Sequence, residues 1–445
     1  MNMDKTLLRV TTYVGALASA LIILLSTYRY GSPFTPAVYI ENRFQAAAIF
    51  LVQSITVEKL RSDYLTGTTA NTPPFSHESA QANAEKSDQK VRVLIVPGHE
   101  PDFGGTAFGN SYERTIVLDI ANDLAKLLSA NPHYTVMISR TKTAWNPILQ
   151  SYFDAYATEI ETFRKSQATQ MANHLATGDI LPQADQIYHN TTPSLGVLHL
   201  YGINKWTSEN GYNLTIHIHV NDYAGRRSGV AGKYAGFSIY APNHQYSNGI
   251  ASIAIGNAIA ARLNKYHATS TFPGEAGGVI EDQQLIAIGS NNSINGAALL
   301  IEYGYIYEPQ FTNSSILSIA EEDYAYETYL GLQDFFNDTA YSTGSGALPY
   351  DWNAVNGTLG EMRSGVYALQ SALRSLGFYP PIGKNFNDCP ISGKVWTCTR
   401  MAIMAYQNAR GLKESGTLDP DTRSALFVDF PLSEPPLSQN ATQSL

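Results

Sequence analysis

Two histidines and two glutamates in this chain stand where a sheet would gather them. His99 follows an apolar run at 91–96 and Pro97-Gly98, and Glu113 opens a helical pattern. His219 lies in Ile216-His-Ile-His-Val-Asn221, and Glu302 closes the run Ala298-Leu-Leu-Ile. Two imidazoles and one carboxylate are the ligand set of a catalytic zinc (Zn2+) site that keeps its fourth position for water. A further carboxylate off the metal is what hydrolysis needs as general base. Spacing alone leaves a second reading open, in which these histidines are hydrogen-bonded turn or core residues. His217, two residues before His219, shares its face on a strand. It reads as a donor to a ligand, an alternative ligand or a packed polar residue.

Such a site needs a sheet whose strands end together. Residues 91–96 read as a buried strand stopped by a turn, and 113–130 places Ile116, Val117, Ile120, Leu124, Leu127 and Leu128 at helical spacing. Further strands are predicted at 135–139, 214–220, 236–241 and 297–301, and helices at 250–266 and 316–336. This alternation predicts an α/β catalytic domain over 91–337, a central mixed or parallel sheet flanked by helices. Ligands of such sheets gather outside the carboxyl ends of the strands. Residues 141–211 form a long insertion, with one helical pattern at 153–175 and irregular Pro/Gly/Asn-rich sequence after it. His174, His189, His199 and His244 are expected to be solvated. Arg140 and Asn221 read either as substrate ligands or as structural groups, Arg140 paired with a carboxylate and Asn221 turning the chain.

The local motifs carry a resemblance. Val96-Pro-Gly-His99, with Gly104-Gly105 and Glu113 downstream, resembles the Asp-Pro-Gly-His motif and following glutamate of the zinc-dependent N-acetylmuramoyl-L-alanine amidases, the amidase-3 family. His219-Val-Asn221 is similar to that family's Ser-Ile-His-Ala-Asn block, Leu300-Ile-Glu302-Tyr-Gly304 to its Val-Glu-Xaa-Gly block, and Ile138-Ser-Arg140 to its Thr-Arg pair. The resemblance implies zinc ligands at His99, Glu113 and His219, Glu302 as the catalytic carboxylate, and hydrolysis of the amide between N-acetylmuramic acid and L-alanine of the stem peptide. Val96 stands in place of the family's Asp, Glu100 in place of Gly and His217 in place of Ser, and the 141–211 insertion looks longer than the family requires. The alternatives are a non-catalytic peptidoglycan-binding or regulatory protein and a zinc peptidase acting within the stem peptide.

After a Gly/Ser/Thr/Asn-rich linker at 338–358, residues 359–428 return to helical periodicity, and 429–445 is a Pro/Ser-rich tail. Val366, Leu369, Leu373 and Leu376 make one helix face and Ile403, Tyr406 and Gln407 continue another. With Gly365, Gly377, Gly411 and Gly416, this segment resembles the all-α three-helix peptidoglycan-binding domain, which implies peptidoglycan as partner. Cys389 and Cys398, the two cysteines of the chain, are expected to form a local disulfide.

Lys5 and Arg9 precede an uncharged, largely apolar run at 10–28, long enough to span a bilayer at roughly 20 residues. Residues 1–30 therefore read as an N-terminal transmembrane helix or a signal peptide, placing the rest outside the cytoplasm. An amphipathic segment and a tether fill 31–90. The net charge of -9 and the absence of a Lys/Arg cluster exclude a nucleic-acid partner. A protein activator is possible, and the sequence names none.

Overall fold

The computed structural model describes residues 90–183, 187, 192–223, 225–275, 277–336 and 345–432. The expected transmembrane helix, the segment at 31–89, His189 and the tail from 433 lie outside them. Among the described residues no helix is long and apolar enough to cross a membrane.

In chain order the elements are β1 (Val91–Pro97), β2 (Ala107–Phe108), β3 (Ser111–Tyr112), α1 (Glu113–Ser129), β4 (Tyr134–Ile138), α2 (Pro147–Thr177), α3 (Ser194–Glu209) and β5 (Leu214–Asn221). They continue with β6 (Ser238–Pro242), α4 (Gly249–Leu263), β7 (Val279–Asp282), β8 (Ala297–Tyr305), α5 (Pro309–Thr312) and α6 (Ser314–Phe336). Three further helices follow, α7 (Ser364–Ser375), α8 (Thr397–Ala409) and α9 (Pro420–Asp429).

The central sheet has the order β4-β1-β5-β8-β6-β7. β4, β1, β5 and β8 are mutually parallel, β6 runs antiparallel to β8, and β7 parallel to β6. The sheet is therefore mixed, and the edge strand β7 and the hairpin β2–β3 are additions to the predicted set. β1, β5 and β8 read as near-continuous apolar runs because both of their faces are covered. On one face, Ile116, Val117, Ile120 and Leu124 of α1 join Ile95, Ile216 and Ile301 in a core that also includes residues of α4 and α6. Burying each such side chain stabilises the fold by roughly 1.5–3 kcal/mol.

The opposite face corrects the reading of 141–211. Instead of one helix and irregular chain, the segment supplies both α2 and α3, and Leu149, Phe153, Ile160, Tyr201, Ile203 and Trp206 pack on Leu94 and Val96. The sheet's second face would otherwise expose those strand residues, so the segment is a structural layer. Gly202 lets the two helices touch: a Cβ there would lie 2.8 Å from the Phe153 ring.

The predicted linker at 338–358 is also corrected in part. From Ser345 onward it packs, with Ala347, Trp352 and Val355 buried in the core shared with α7. Asp323 of α6 accepts from the Tyr367 hydroxyl of α7 at 2.9 Å and lies 3.2 Å from His267 Nε2, tying the two regions together. Within the C-terminal region, buried Gln370 accepts from the Ser392 and Gly393 amides, both at 2.9 Å, and donates to Thr399 Oγ1 at 2.9 Å. Cys389 and Cys398 are disulfide-bonded, with a Cα separation of 5.9 Å.

Candidate active site

The parallel register sets the site. β5 and β8 pair His219 with Glu302 and His217 with Leu300, so the imidazole and the carboxylate stand side by side on one face at the strands' carboxyl ends. One strand over, β1 ends in Pro97, and His99 follows with a φ of 70°, a left-handed conformation uncommon outside glycine. The turn brings the His99 and His219 rings to 4.9 Å between centroids, at an interplanar angle of 72°. Gly98 is what permits this approach, because a Cβ there would lie 2.5 Å from His219 Nε2.

Glu113 is the first residue of α1, next to the edge. Its Oε2 accepts from the Thr106 amide at 2.8 Å and its Oε1 from the Val220 amide at 3.2 Å, while its own amide donates to the Thr106 carbonyl at 3.0 Å. His99 Nε2 and His219 Nδ1 lie 2.9 and 3.0 Å from that same Oε1. Yet His99 Nε2 is buried without a well-aligned hydrogen-bond partner. Ligand atoms of His99, Glu113 and His219 all fall within 4.8 Å of one another. Donors on one tetrahedral zinc, at ~2.0–2.1 Å from it, lie about 3.3 Å apart. An N, N, O set at this spacing, with an orphaned imidazole nitrogen facing the carboxylate, fits such an ion. Burial disfavours the charged form of Glu113, but the neighbouring imidazoles outweigh it and hold the carboxyl well below its ordinary range. Burial lowers His219, whereas for His99 the Glu113 charge overrides burial and raises it.

Glu302 has the opposite environment. Burial, then the charges of Glu113 and Glu275, push it well above the usual carboxylate range, and its Oε2 has no hydrogen-bond partner among the described residues. Positive charge placed among His99, Glu113 and His219 would offset that and favour its ionised form.

Arg140 and Asn221 both make structural contacts, with partners other than those expected. Arg140, 2% exposed, pairs with no carboxylate and donates to the carbonyls of Pro97 (3.1 Å), Gly98 (2.5 Å), Arg114 (3.0 Å) and Thr141 (3.3 Å). Burial pushes its guanidinium down only to about 10, so at neutral pH it stays a cation that stitches the β1 turn to the start of α1. The Asn221 amide donates to Glu275 at 3.0 Å, and Glu275 also accepts from the Tyr240 hydroxyl at 2.5 Å and the Tyr305 hydroxyl at 3.0 Å. Glu275 gave no sequence signal, since it sits in the short turn Pro273–Glu275 away from any strand end.

His199 is not solvated. It is 7% exposed on α3, where its Nδ1 lies 2.9 and 3.0 Å from the two oxygens of Glu100, and the Trp145 indole donates to Glu100 at 3.0 Å. His174 and His244 are exposed, beside the exposed Asp179 and the half-buried Glu281 respectively. His217 is buried, its imidazole pushed down to about 3 by burial, and its Nε2 has no partner. It lies outside the group of three converging ligand atoms.

Comparison with known proteins gives two family matches. The N-acetylmuramoyl-L-alanine amidase family profile matches residues 93–333, and a peptidoglycan binding domain profile matches residues 362–426. Among solved structures, the chain is similar to the N-acetylmuramyl-L-alanine amidase Ami1 from Mycobacterium smegmatis, at 14% identity over 56% of this chain and 98% of that one, with a TM-score of 0.36. It is also similar to an N-acetylmuramoyl-L-alanine amidase from Clostridium difficile 630, at 16% identity over 56% of this chain and 99% of that one, TM-score 0.34. A third is the CwlD amidase from Clostridioides difficile, solved in complex with the GerS lipoprotein, at 16% identity over 56% and 100% of the two chains, TM-score 0.34. No curated protein matches the chain.

Proposed function

The chain belongs to the N-acetylmuramoyl-L-alanine amidase family, and on that premise we propose that it is a zinc enzyme with ligands His99, Glu113 and His219 and with Glu302 as general base. The reaction is hydrolysis of the amide that joins N-acetylmuramic acid to the L-alanine of the peptidoglycan stem peptide. The observation that carries the residue roles is the convergence of three ligand atoms beside a separate carboxylate on the neighbouring strand.

Zinc bound there supplies Lewis acidity toward the scissile carbonyl and makes water acidic enough to react at neutral pH. Glu302 takes the proton of the attacking water and delivers it to the leaving alanine nitrogen. Its Oε2, which has no hydrogen-bond partner among the described residues, is available to accept a proton. Glu113 holds the two imidazoles in register through Oε1 while the Thr106 and Val220 amides fix its own orientation. Arg140 keeps the His99 turn and the start of α1 together.

The C-terminal domain keeps the enzyme on its polymer. Action is extracytoplasmic, since peptidoglycan lies there, and the Cys389–Cys398 bond suits an oxidising compartment. The apolar run at 10–28 would serve as anchor or signal, and fractionation of cells into membrane and soluble pools tests which.

The function is tested by incubating the protein with purified sacculi, with and without a zinc chelator, and identifying products by mass spectrometry. Free stem peptides and unsubstituted glycan, lost on chelation, support the reading. Trimmed stems would indicate a peptidase, and intact sacculi a binding protein.

A further inference from the structure

Residues that neighbour the candidate ligands in sequence line a depression of about 430 Å³, among them Asp102, Tyr112, Arg114, Lys142 and Thr143. Its walls come from the segments that deliver the site. Asp102 is three residues past His99, Arg114 directly follows Glu113, and Lys142 follows the β4 end held by Arg140. Because the Arg140 guanidinium bonds the carbonyls of both Gly98 and Arg114, two of these walls are fixed to each other.

The cations here are held by no short ion pair, though the Asp119 carboxylate of α1 acts on Lys142 at longer range. Among the described residues neither Arg114 nor Lys142 makes a salt bridge, and the Arg114 guanidinium lies only over the Tyr112 ring, 5.9 Å from its centroid. By contrast Arg226, near the β2–β3 hairpin, is committed to Asp222 through bonds of 2.6 and 2.8 Å. With Asp102 on the rim, the depression is net positive in a chain whose net charge is -9.

A cationic subsite reads the acidic part of the substrate. The amino sugars of the glycan are uncharged once the lactyl carboxyl is in amide linkage, whereas the stem peptide carries free carboxyls. Resting on the amidase reading, we infer that this depression binds the stem peptide, with Arg114 and Lys142 holding the free α-carboxylate of the γ-linked glutamate that follows L-alanine. Two extended residues span about 7 Å, a reach that would carry the carboxylate onto the segments that follow His99 and Glu113. The guanidinium supplies a planar donor fork for the carboxylate and the ammonium a second charge.

The test compares kcat/KM of the full-length protein, and of its Arg114→Gln and Lys142→Gln variants, on two muropeptides. These differ only in whether that α-carboxyl is free or a carboxamide. The wild type is expected to prefer the free acid by about 10-fold, since charge-assisted hydrogen bonds are lost with the amide. Each variant should bring the ratio toward unity through KM on the acid. A wild-type ratio near one, or an unchanged ratio in the variants, overturns the inference. Because Lys142 is exposed and remote from the fold's core, Lys142→Gln carries the test should Arg114→Gln not fold. Failure of the wild type to cleave either muropeptide would instead bring down the amidase reading on which the inference rests.

Discussion

Glu100 and His199 meet across 99 residues of sequence, carboxylate against imidazole Nδ1 at 2.9 Å, in a pocket closed by Trp145 and by the Phe153 ring stacked 4.5 Å from the histidine. Glu100 directly follows His99, so a helix on the far side of the sheet holds the turn that carries the imidazole proposed as a metal ligand. We expect His199→Phe, which keeps the stacking but removes the ring nitrogen facing Glu100, to weaken zinc binding by up to about 10-fold, through a loosened His99 turn rather than a lost direct partner of a ligand. Chelator competition on the folded variant measures it. Unchanged affinity would reduce the pair to packing.

Gly98→Ala should be far more damaging than its size suggests. The added methyl would sit against the His219 ring, whose place is already set by Glu113 and by its strand. We expect loss of activity and of zinc with the fold retained, read by far-UV circular dichroism and metal content on one preparation. A variant with normal zinc content would contradict the packing account.

Glu321 of α6 gives a pH dependence with a definite sign. Burial, followed by repulsion from Asp119, Asp123 and Glu322, raises its carboxyl from 4.5 to about 8. The raised value means the folded state favours the protonated form. That contribution is full below pH 4.5 and is lost as pH rises through about 8. Glu321→Gln should therefore leave stability nearly unchanged at pH 4.5 and raise it by about 1–3 kcal/mol at pH 8. Urea unfolding at the two pH values decides it. An equal effect at both would show that ionisation of Glu321 is not responsible.

The nearness of His99, Glu113 and His219 was legible because each sits at a strand end or helix start, positions that a parallel sheet brings to one edge. The layer formed by α3 was not. Its sequence Leu195-Gly-Val-Leu-His-Leu-Tyr-Gly-Ile is apolar on most sides and interrupted by Gly196 and Gly202, so no single face stands out, and both glycines are there for close approach. His199 looked solvated because its partner Glu100 is distant in sequence. Trp352 was hidden in a Gly/Ser/Asn-rich window, where a few buried residues, Ala347, Trp352 and Val355, carry the packing that composition averages away. Glu275 depends on contacts from three separate strands, which no local pattern encodes.

The central claim separates metal binding from proton transfer, and one comparison tests it: zinc content and amidase activity measured on the same folded preparations of Glu302→Gln, His99→Ala and His219→Ala. Glutamine keeps the size of glutamate but accepts no proton at neutral pH, so Glu302→Gln should retain zinc and lose about 10²–10⁴ in rate. Each His→Ala variant should lose both, because the remaining two ligands leave the site incomplete. Loss of zinc from Glu302→Gln, or near-wild-type activity in it, would contradict the account.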